Sequence, residues 1–571
     1  MAVAIEHDRP RGAALGGLVR SSTLVRIGLV AFCVGLGYLV LVPLYRLQEL
    51  ALEDGAAGFE RAWNTPDIGE TLVTTVLLAL GSLVIALVLG TLLAWAATRL
   101  PPRLRIMRVL PIFPIIVPAV AAVTGWAFLF SPRPGYLNAL LRNLPWWGHL
   151  EEGPVDVYTL PWIVIITGFG LTSFVYLFVN SGFQNIGAEL VEAAHASGSN
   201  GLGVFFKVIL PLLRPTLVYG GGVALLLGLG QFTGPLLLGR NTGVTVLTTE
   251  MYFKISQSPV DYPAAAAIGT PLLIFGVAVV IGQKIILGDQ ARFVTHSGKS
   301  SFRADTRPSK LAVVAMVTYS FAAMVLPLCG LVIVALSPFW SADVDVGAFT
   351  LDNFREVFSQ SSITEAIATS LVVSLVAVAI AIPVGFIAAT LLLRGRKYRF
   401  IRTFIDFLVA MPLGIPAVVF GVGFLLAYTQ EPFFLYGTRW VIILVYVTLV
   451  LPFTTRMQLA GMISLGDAYL EASRVSGASA LKTNVKIVLP LLRTSIGGAA
   501  ALMFVLLTHE FAASLLVRSP TTNVMGTVLY DNYTNGSYPT VAAIALIMTA
   551  VTAIGVTVAV MTSGTKALEG M

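Results

Sequence analysis

Charge is scarce in this chain. Only 11% of its 571 residues are Asp, Glu, Lys or Arg, against roughly a quarter in an ordinary soluble domain. Apolar residues make up 56%, and mean hydropathy is +0.86. A soluble fold of this length cannot hide so much apolar surface, so lipid is the solvent for most of it. Cysteine is nearly missing. Cys33 and Cys329 both fall in apolar runs, which excludes a disulfide scaffold and predicts two small buried apolar side chains. The five histidines show no metal-ligand spacing, and no cluster of His, Asp or Cys marks an enzyme. A phosphate-binding loop is missing too: HSGKS at 296–300 has its ending, but the required glycine is Phe293. The chain carries no recognisable ATPase of its own.

What is present is a series of apolar runs near 25–44, 72–97, 108–130, 160–180, 216–238 and 264–287, then 311–336, 367–393, 404–428, 439–456, 495–517 and 540–561. Each is long enough to cross a bilayer, and without water in the hydrocarbon layer such spans must be helices. The expectation is an all-α membrane protein of about twelve transmembrane helices. A cytoplasmic tail, 1–24, precedes the first six-span domain, 25–287; a polar linker, 288–310, leads to the second, 311–561, and a tail, 562–571, follows. The polar N-terminus lacks a small-residue cleavage site before the first run, so that run is read as a retained span. The net charge of +7 does not point to nucleic acid. Arg99, Arg103, Arg105, Arg108, then Arg394, Arg396, Lys397, Arg399 and Arg402, sit in short loops on one side, as do the basic residues of the linker. Cytoplasmic loops carry such an excess, so both termini are expected in the cytoplasm.

One polar segment occurs twice. EAAHASGSNGLGVFFKVILPLLRP begins at Glu192 and EASRVSGASALKTNVKIVLPLLRT at Glu471, 279 residues later, with Gly198 matching Gly477, Pro211 matching Pro490 and Arg214 matching Arg493. The copies lie between spans four and five and between spans ten and eleven, so the two halves enter the membrane in the same sense. Residues 192–197 suit a short helix, and Gly198 suits the left-handed conformation that ends one. A second short helix through VFFKVIL, or TNVKIVL, is expected to stop at the proline that opens the next span. Pro114 and Pro118 of span three likewise match Pro412 and Pro416 of span nine, where prolines free carbonyls and bend helices.

Glu192, Ala193, Ala194, Gly198 and Pro211, and again Glu471, Ala472, Gly477 and Pro490, resemble the coupling motif of ATP-binding-cassette importer permeases. Ser473 departs from the alanine usual there, though it is still small. The resemblance implies a type I importer permease fold in which each copy docks an ATPase subunit. ATP and Mg would be bound by two such subunits and not by this chain, which needs no cofactor or metal of its own. An extracytoplasmic binding protein would deliver the solute at a bacterial plasma membrane. Two copies in one chain resemble the fused iron(III)-type permeases, whose branch also includes thiamine and aminoethylphosphonate carriers; FTGPLLLGRNTGVTVLTTEMY at 232–252 and RFVTHSGK at 292–299 are similar to its iron members. Iron(III) is the first expectation for cargo, with aminoethylphosphonate, thiamine or a polyamine as alternatives. An ion-coupled secondary transporter is the rival of another class, but it would leave the repeated segment without a task.

Charged groups within spans mark function. Glu510, preceded by His509, falls inside predicted span eleven, and the 279-residue offset carries it onto Gln231 in span five, two residues before Thr233. These four are the expected contributors to a translocation path.

Overall fold

A computed structural model describes residues 15–184, 186–240, 242–287, 308–394, 399–465 and 468–563. The predicted linker, 288–310, lies outside the described residues except for its last three. The same holds for most of both tails. Among the described residues every regular element is helical.

Among the described residues, eight helices are each long and apolar enough to cross a membrane: Ile27–Trp63, Ile68–Thr98, Leu160–Phe183, Tyr262–Leu287, Lys310–Leu336, Ser361–Arg394, Arg439–Leu465 and Tyr538–Val558. We number them spans one, two, four, six, seven, eight, ten and twelve. Spans three, five, nine and eleven are bent pairs: Pro102–Ile116 with Ala119–Phe130, Gly201–Leu212 with Arg214–Leu229, Arg399–Gly414 with Ala417–Tyr428, and Leu481–Leu491 with Arg493–Thr508. The bends are 89°, 71°, 112° and 71°. With each bent pair counted as one span there are twelve, the predicted number, and the bends fall at the same places in both halves.

The prolines explain the bends in spans three and nine. Pro118 and Pro416 are the residues just before the second helical piece, both extended, with φ/ψ of −54°/138° and −55°/143°. A proline cannot donate into the preceding turn, and the residue before it avoids helical geometry. In spans five and eleven the expectation needs correction. Pro211 and Pro490 do not end the short helix. The chain widens into a π turn at Phe205–Ile209 and at Asn484–Val488, so the missing proline N–H leaves no ladder to break. The bend comes two residues later, at Leu213 and Leu492. Span one also runs on beyond its predicted end, through a break at Glu53–Ala56 where Asp54, Gly55 and Ala56 have positive φ.

The halves interlock. Gly125 in span three faces the backbone of Pro327 in span seven so closely that a Cβ would lie 2.3 Å from its carbonyl oxygen. Gly423 in span nine meets Pro43 of span one in the same way, at 2.7 Å. The first span of each half therefore packs on the third span of the other half. Without a hydrophobic force between helices in lipid, such close backbone approach at small residues is what holds them. The cysteines depart from expectation. Cys33 is half-buried and Cys329 is exposed on the flank of span seven, where the neighbour is lipid; a thiol is apolar enough to sit there.

Candidate functional site: two knobs and two helix breaks

The repeated polar segment forms a compact knob in each half. In the first, helix Ala188–Ala196 ends at Gly198, φ +82°. Ser199 N donates to Ala194 O at 3.1 Å, closing the left-handed cap. In the second, helix Ala468–Val475 ends at Gly477, φ +74°, and Ala478 N donates to Ser473 O at 3.1 Å. Nothing lies within 4 Å of a Cβ built on either glycine, so only the backbone conformation requires them. Glu192, Ala193, Glu471 and Ala472 are exposed and Ala194 is half-buried. The four exposed residues make matched surfaces that no described residue of the chain covers.

Ser473 is placed differently from its neighbours. It is 4% exposed, and its hydroxyl meets that of Thr483 at 2.7 Å, while Thr483 Oγ1 donates to Ser479 O. The equivalent positions in the first knob are Ala194 and Val204, an apolar pair. The serine therefore belongs to a paired exchange within the knob's interior and not to its outer face.

The second constellation lies where spans five and eleven stop. The predicted runs 216–238 and 495–517 are not continuous helices. Arg214–Leu229 and Arg493–Thr508 are 16 residues each, about 24 Å at 1.5 Å per residue, too short for a hydrocarbon layer of about 30 Å. Gln231 and Glu510 thus lie in the breaks, not inside helices. Their backbone N–H groups donate equivalently, Gln231 to Gly228 O and Glu510 to Leu507 O, both at 3.2 Å.

A break at membrane depth frees polar backbone groups that something must satisfy. In the second half Glu510 does so. Its carboxylate accepts from Ala513 N at 2.7 Å, from Ser514 N at 2.9 Å and from Ser514 Oγ at 2.5 Å, opening the short helix Ala512–Val517. Tyr446 of span ten shares a 2.9 Å hydrogen bond with Ser514 Oγ. An acidic group at a helix start is favoured by the N–H groups it meets there. His509 is bound through Nε2 to Thr552 Oγ1 of span twelve at 2.7 Å. In the first half Thr248 Oγ1 donates to Gln231 O at 2.5 Å, Gln231 is half-buried and Thr233 is buried.

Beside the breaks stand four rings that the sequence reading missed. Phe232 packs on Phe511, centroids 5.7 Å apart, and Tyr252 on Tyr530, 6.2 Å. Phe232 also meets Tyr252 at 5.8 Å, and Phe511 meets Tyr530 at 5.8 Å. The Phe232–Phe511 and Tyr252–Tyr530 pairs join equivalent positions of the two halves, and equivalent positions can touch only on the axis that relates the halves. The rings therefore fill the axis. The helices carrying the tyrosines, Leu247–Ser256 and Met525–Thr534, start alike. Thr249 and Thr527 hydroxyls accept from Val246 N and Val524 N, both at 3.0 Å. Leu247 N donates to Thr75 of span two, and Met525 N to Ser370 of span eight. A signal existed in the sequence: Arg240, Val246, Thr249 and Tyr252 recur 278 residues later as Arg518, Val524, Thr527 and Tyr530. The arginines diverge in partner. Arg518 forks onto Asp531 at 2.7 and 2.8 Å, while Arg240 reaches Tyr530 Oη at 3.4 Å.

Among known proteins, the profile of the binding-protein-dependent transport system inner membrane component family matches residues 72–288 and again 381–562. The ferric transport system permease protein FbpB of Actinobacillus pleuropneumoniae is 28% identical over 468 residues, covering 80% of this chain. This chain spans 65% of the length of that relative. The probable ABC transporter permease protein y4fN of Sinorhizobium fredii is 24% identical over 557 residues, 92% of this chain and 94% of the relative. A solved bacterial alginate ABC transporter, in complex with its pentasaccharide-bound periplasmic protein, is similar at TM-score 0.38 and 17% identity, over 45% of this chain and 94% of that one.

Proposed function

Because the chain belongs to the family of binding-protein-dependent transport system inner membrane components, carrying its domain twice, we propose that it is the permease of an ATP-binding-cassette importer. The observation that carries this reading is the duplicated knob: two exposed Glu-Ala faces, each fixed by a left-handed glycine cap. Two ATPase subunits dock on these faces in the cytoplasm, and both termini lie on that side. When ATP draws the subunits together the knobs move with them, and the bent pairs of spans five and eleven carry the motion to the breaks. The ring cluster on the axis closes the outer part of the path and separates when the halves rock apart. Gln231 and Glu510 lie along this path. Glu510, with both oxygens engaged by its own chain, is a positioning residue that keeps the break open; Thr233 and His509 hold the surrounding packing.

The cargo is iron(III), delivered by an extracytoplasmic binding protein. This finer reading is supported by the ferric transport permease among the similar proteins. The test is uptake of radioactive iron(III) into vesicles holding this chain with an ATPase subunit and an extracytoplasmic binding protein from the same organism. ATP-dependent uptake that also requires the binding protein is expected. A binding protein that retains a different solute, which the vesicles then import in place of iron, would overturn the cargo assignment and leave the permease reading standing.

A further inference from the structure

A cavity of about 510 Å³ opens between spans eight, nine and ten, lined by Arg399, Arg402, Asp406, Arg456 and apolar residues that include Leu459 and Ile463. All of its walls come from the second half, so it does not lie on the axis where the halves meet. Ile463 is 61% exposed, so the mouth opens onto the outside of the helix bundle. Asp406 is neutralised by Arg456 at 2.7 Å. The guanidinium groups of Arg399 and Arg402 have no acidic or hydrogen-bonding partner among the described residues. The cavity thus holds two uncompensated positive charges above an apolar wall.

We propose that this cavity is a binding site for the phosphate of an anionic phospholipid. Guanidinium groups match phosphate oxygens two at a time, and basic pockets between spans at the cytoplasmic face suit acidic head groups. The phosphate lies between Arg399 and Arg402, and an acyl chain runs down past Leu459 and Ile463. A free phosphate shares the head-group chemistry but has no use for the apolar wall. The site is single. In the first half the positions matching Arg399 and Arg402, at the 298-residue offset of the bent spans, are Pro101 and Leu104.

The site also bears on the second knob. Leu393, another lining residue, and Leu459 pack against the cluster of Met462, Leu470, Val488 and Leu492 beneath the knob. Arg394 Nη1 donates to Asn484 Oδ1 at 3.2 Å. This inference does not depend on the nature of the cargo.

The experiment is native mass spectrometry of the purified full chain in mixed micelles, titrated with phosphatidylglycerol, phosphatidylcholine or inorganic phosphate. One phosphatidylglycerol per chain is expected to bind with about tenfold preference over phosphatidylcholine, equivalent to about 1.4 kcal/mol. R399Q/R402Q should reduce that preference to about twofold or less, R399K/R402K should recover most of it, and R103Q/R105Q, an equal charge loss in the first half, should leave it unchanged. An unaltered preference in R399Q/R402Q, or an equal loss in R103Q/R105Q, would overturn the site. Displacement of the lipid by millimolar inorganic phosphate, with no preference between the two lipids, would overturn the lipid assignment in favour of a free anion.

Discussion

Replacing Gly198 by valine isolates a single energy. The residue sits at φ +82°, and a Cβ there would meet no atom within 4 Å, so the branching carbon enters open space. What remains is backbone strain: about 1–2 kcal/mol for a branched side chain forced into the left-handed region. The knob is a short, exposed element whose local opening free energy is low. Strain of that size should multiply the opened population about 5–30-fold. Amide hydrogen exchange reads this directly at Ser199, whose N–H closes the cap onto Ala194 O, and at Ala478 for the equivalent G477V. Asparagine tolerates the left-handed region better, so G198N should show a smaller increase. The control is G201A, three residues on. Its new Cβ would find only Arg99 Nη2, at 3.8 Å, and its φ is not positive. That variant should be neutral or slightly protective, since alanine loses less entropy than glycine in a helix. Exchange at Ser199 that is unchanged in G198V, or raised equally in G201A, would refute the strain account.

Three further outcomes follow from the same geometry. E510A should lower thermal stability by about 1–3 kcal/mol for each backbone N–H, of Ala513 and Ser514, left without an acceptor; E510Q, which keeps one side-chain oxygen, should cost less and retain uptake to within a few-fold, whereas abolished uptake by a stable E510Q protein would mean that the charge itself meets the cargo. Truncating the axial rings in F232A/F511A should raise passive leak of small ions through vesicles holding the chain without its ATPase, and each buried ring should cost about 3–5 kcal/mol in stability; a tight but destabilised variant would place the closure elsewhere. S473A should destabilise the second knob by about 0.5–1.5 kcal/mol, while S473A/T483V, which recreates the Ala194/Val204 pair of the first knob, should be close to neutral in a double-mutant cycle of thermal unfolding.

Span count, the duplication and the left-handed glycines were legible in the sequence because each rests on a strong local signal. Twenty apolar residues have one stable form in lipid, and the sequence context of Gly198 and Gly477 already marked a helix end. The breaks at Gln231 and Glu510 were hidden because hydropathy runs smoothly through Phe232–Leu238 and Phe511–Val517; a hydropathy window does not register that the helix has stopped and that a carboxylate has taken over its N–H groups. Pro211 and Pro490 misled because a proline breaks an α turn, but a π turn ahead of it leaves no broken bond. The ring cluster arises only when two positions 279 residues apart meet on an axis, which no local pattern encodes. Ser473 looked like a tolerated variant of a docking alanine, and only its 2.7 Å partner Thr483 reveals an interior exchange.

The central claim, that both knobs dock an ATPase, is tested most directly by co-purification. The full chain, expressed with a candidate ATPase subunit from the same organism and trapped with a non-hydrolysable ATP analogue, should carry two ATPase copies, read by the mass of the intact complex. E192K/E471K places the wrong charge on both exposed faces and should lose both copies while inserting normally; E192K alone should lose one. S473A, altered only in the knob's interior, should keep two. Two copies retained by E192K/E471K, or none bound by the unaltered chain, would contradict the account.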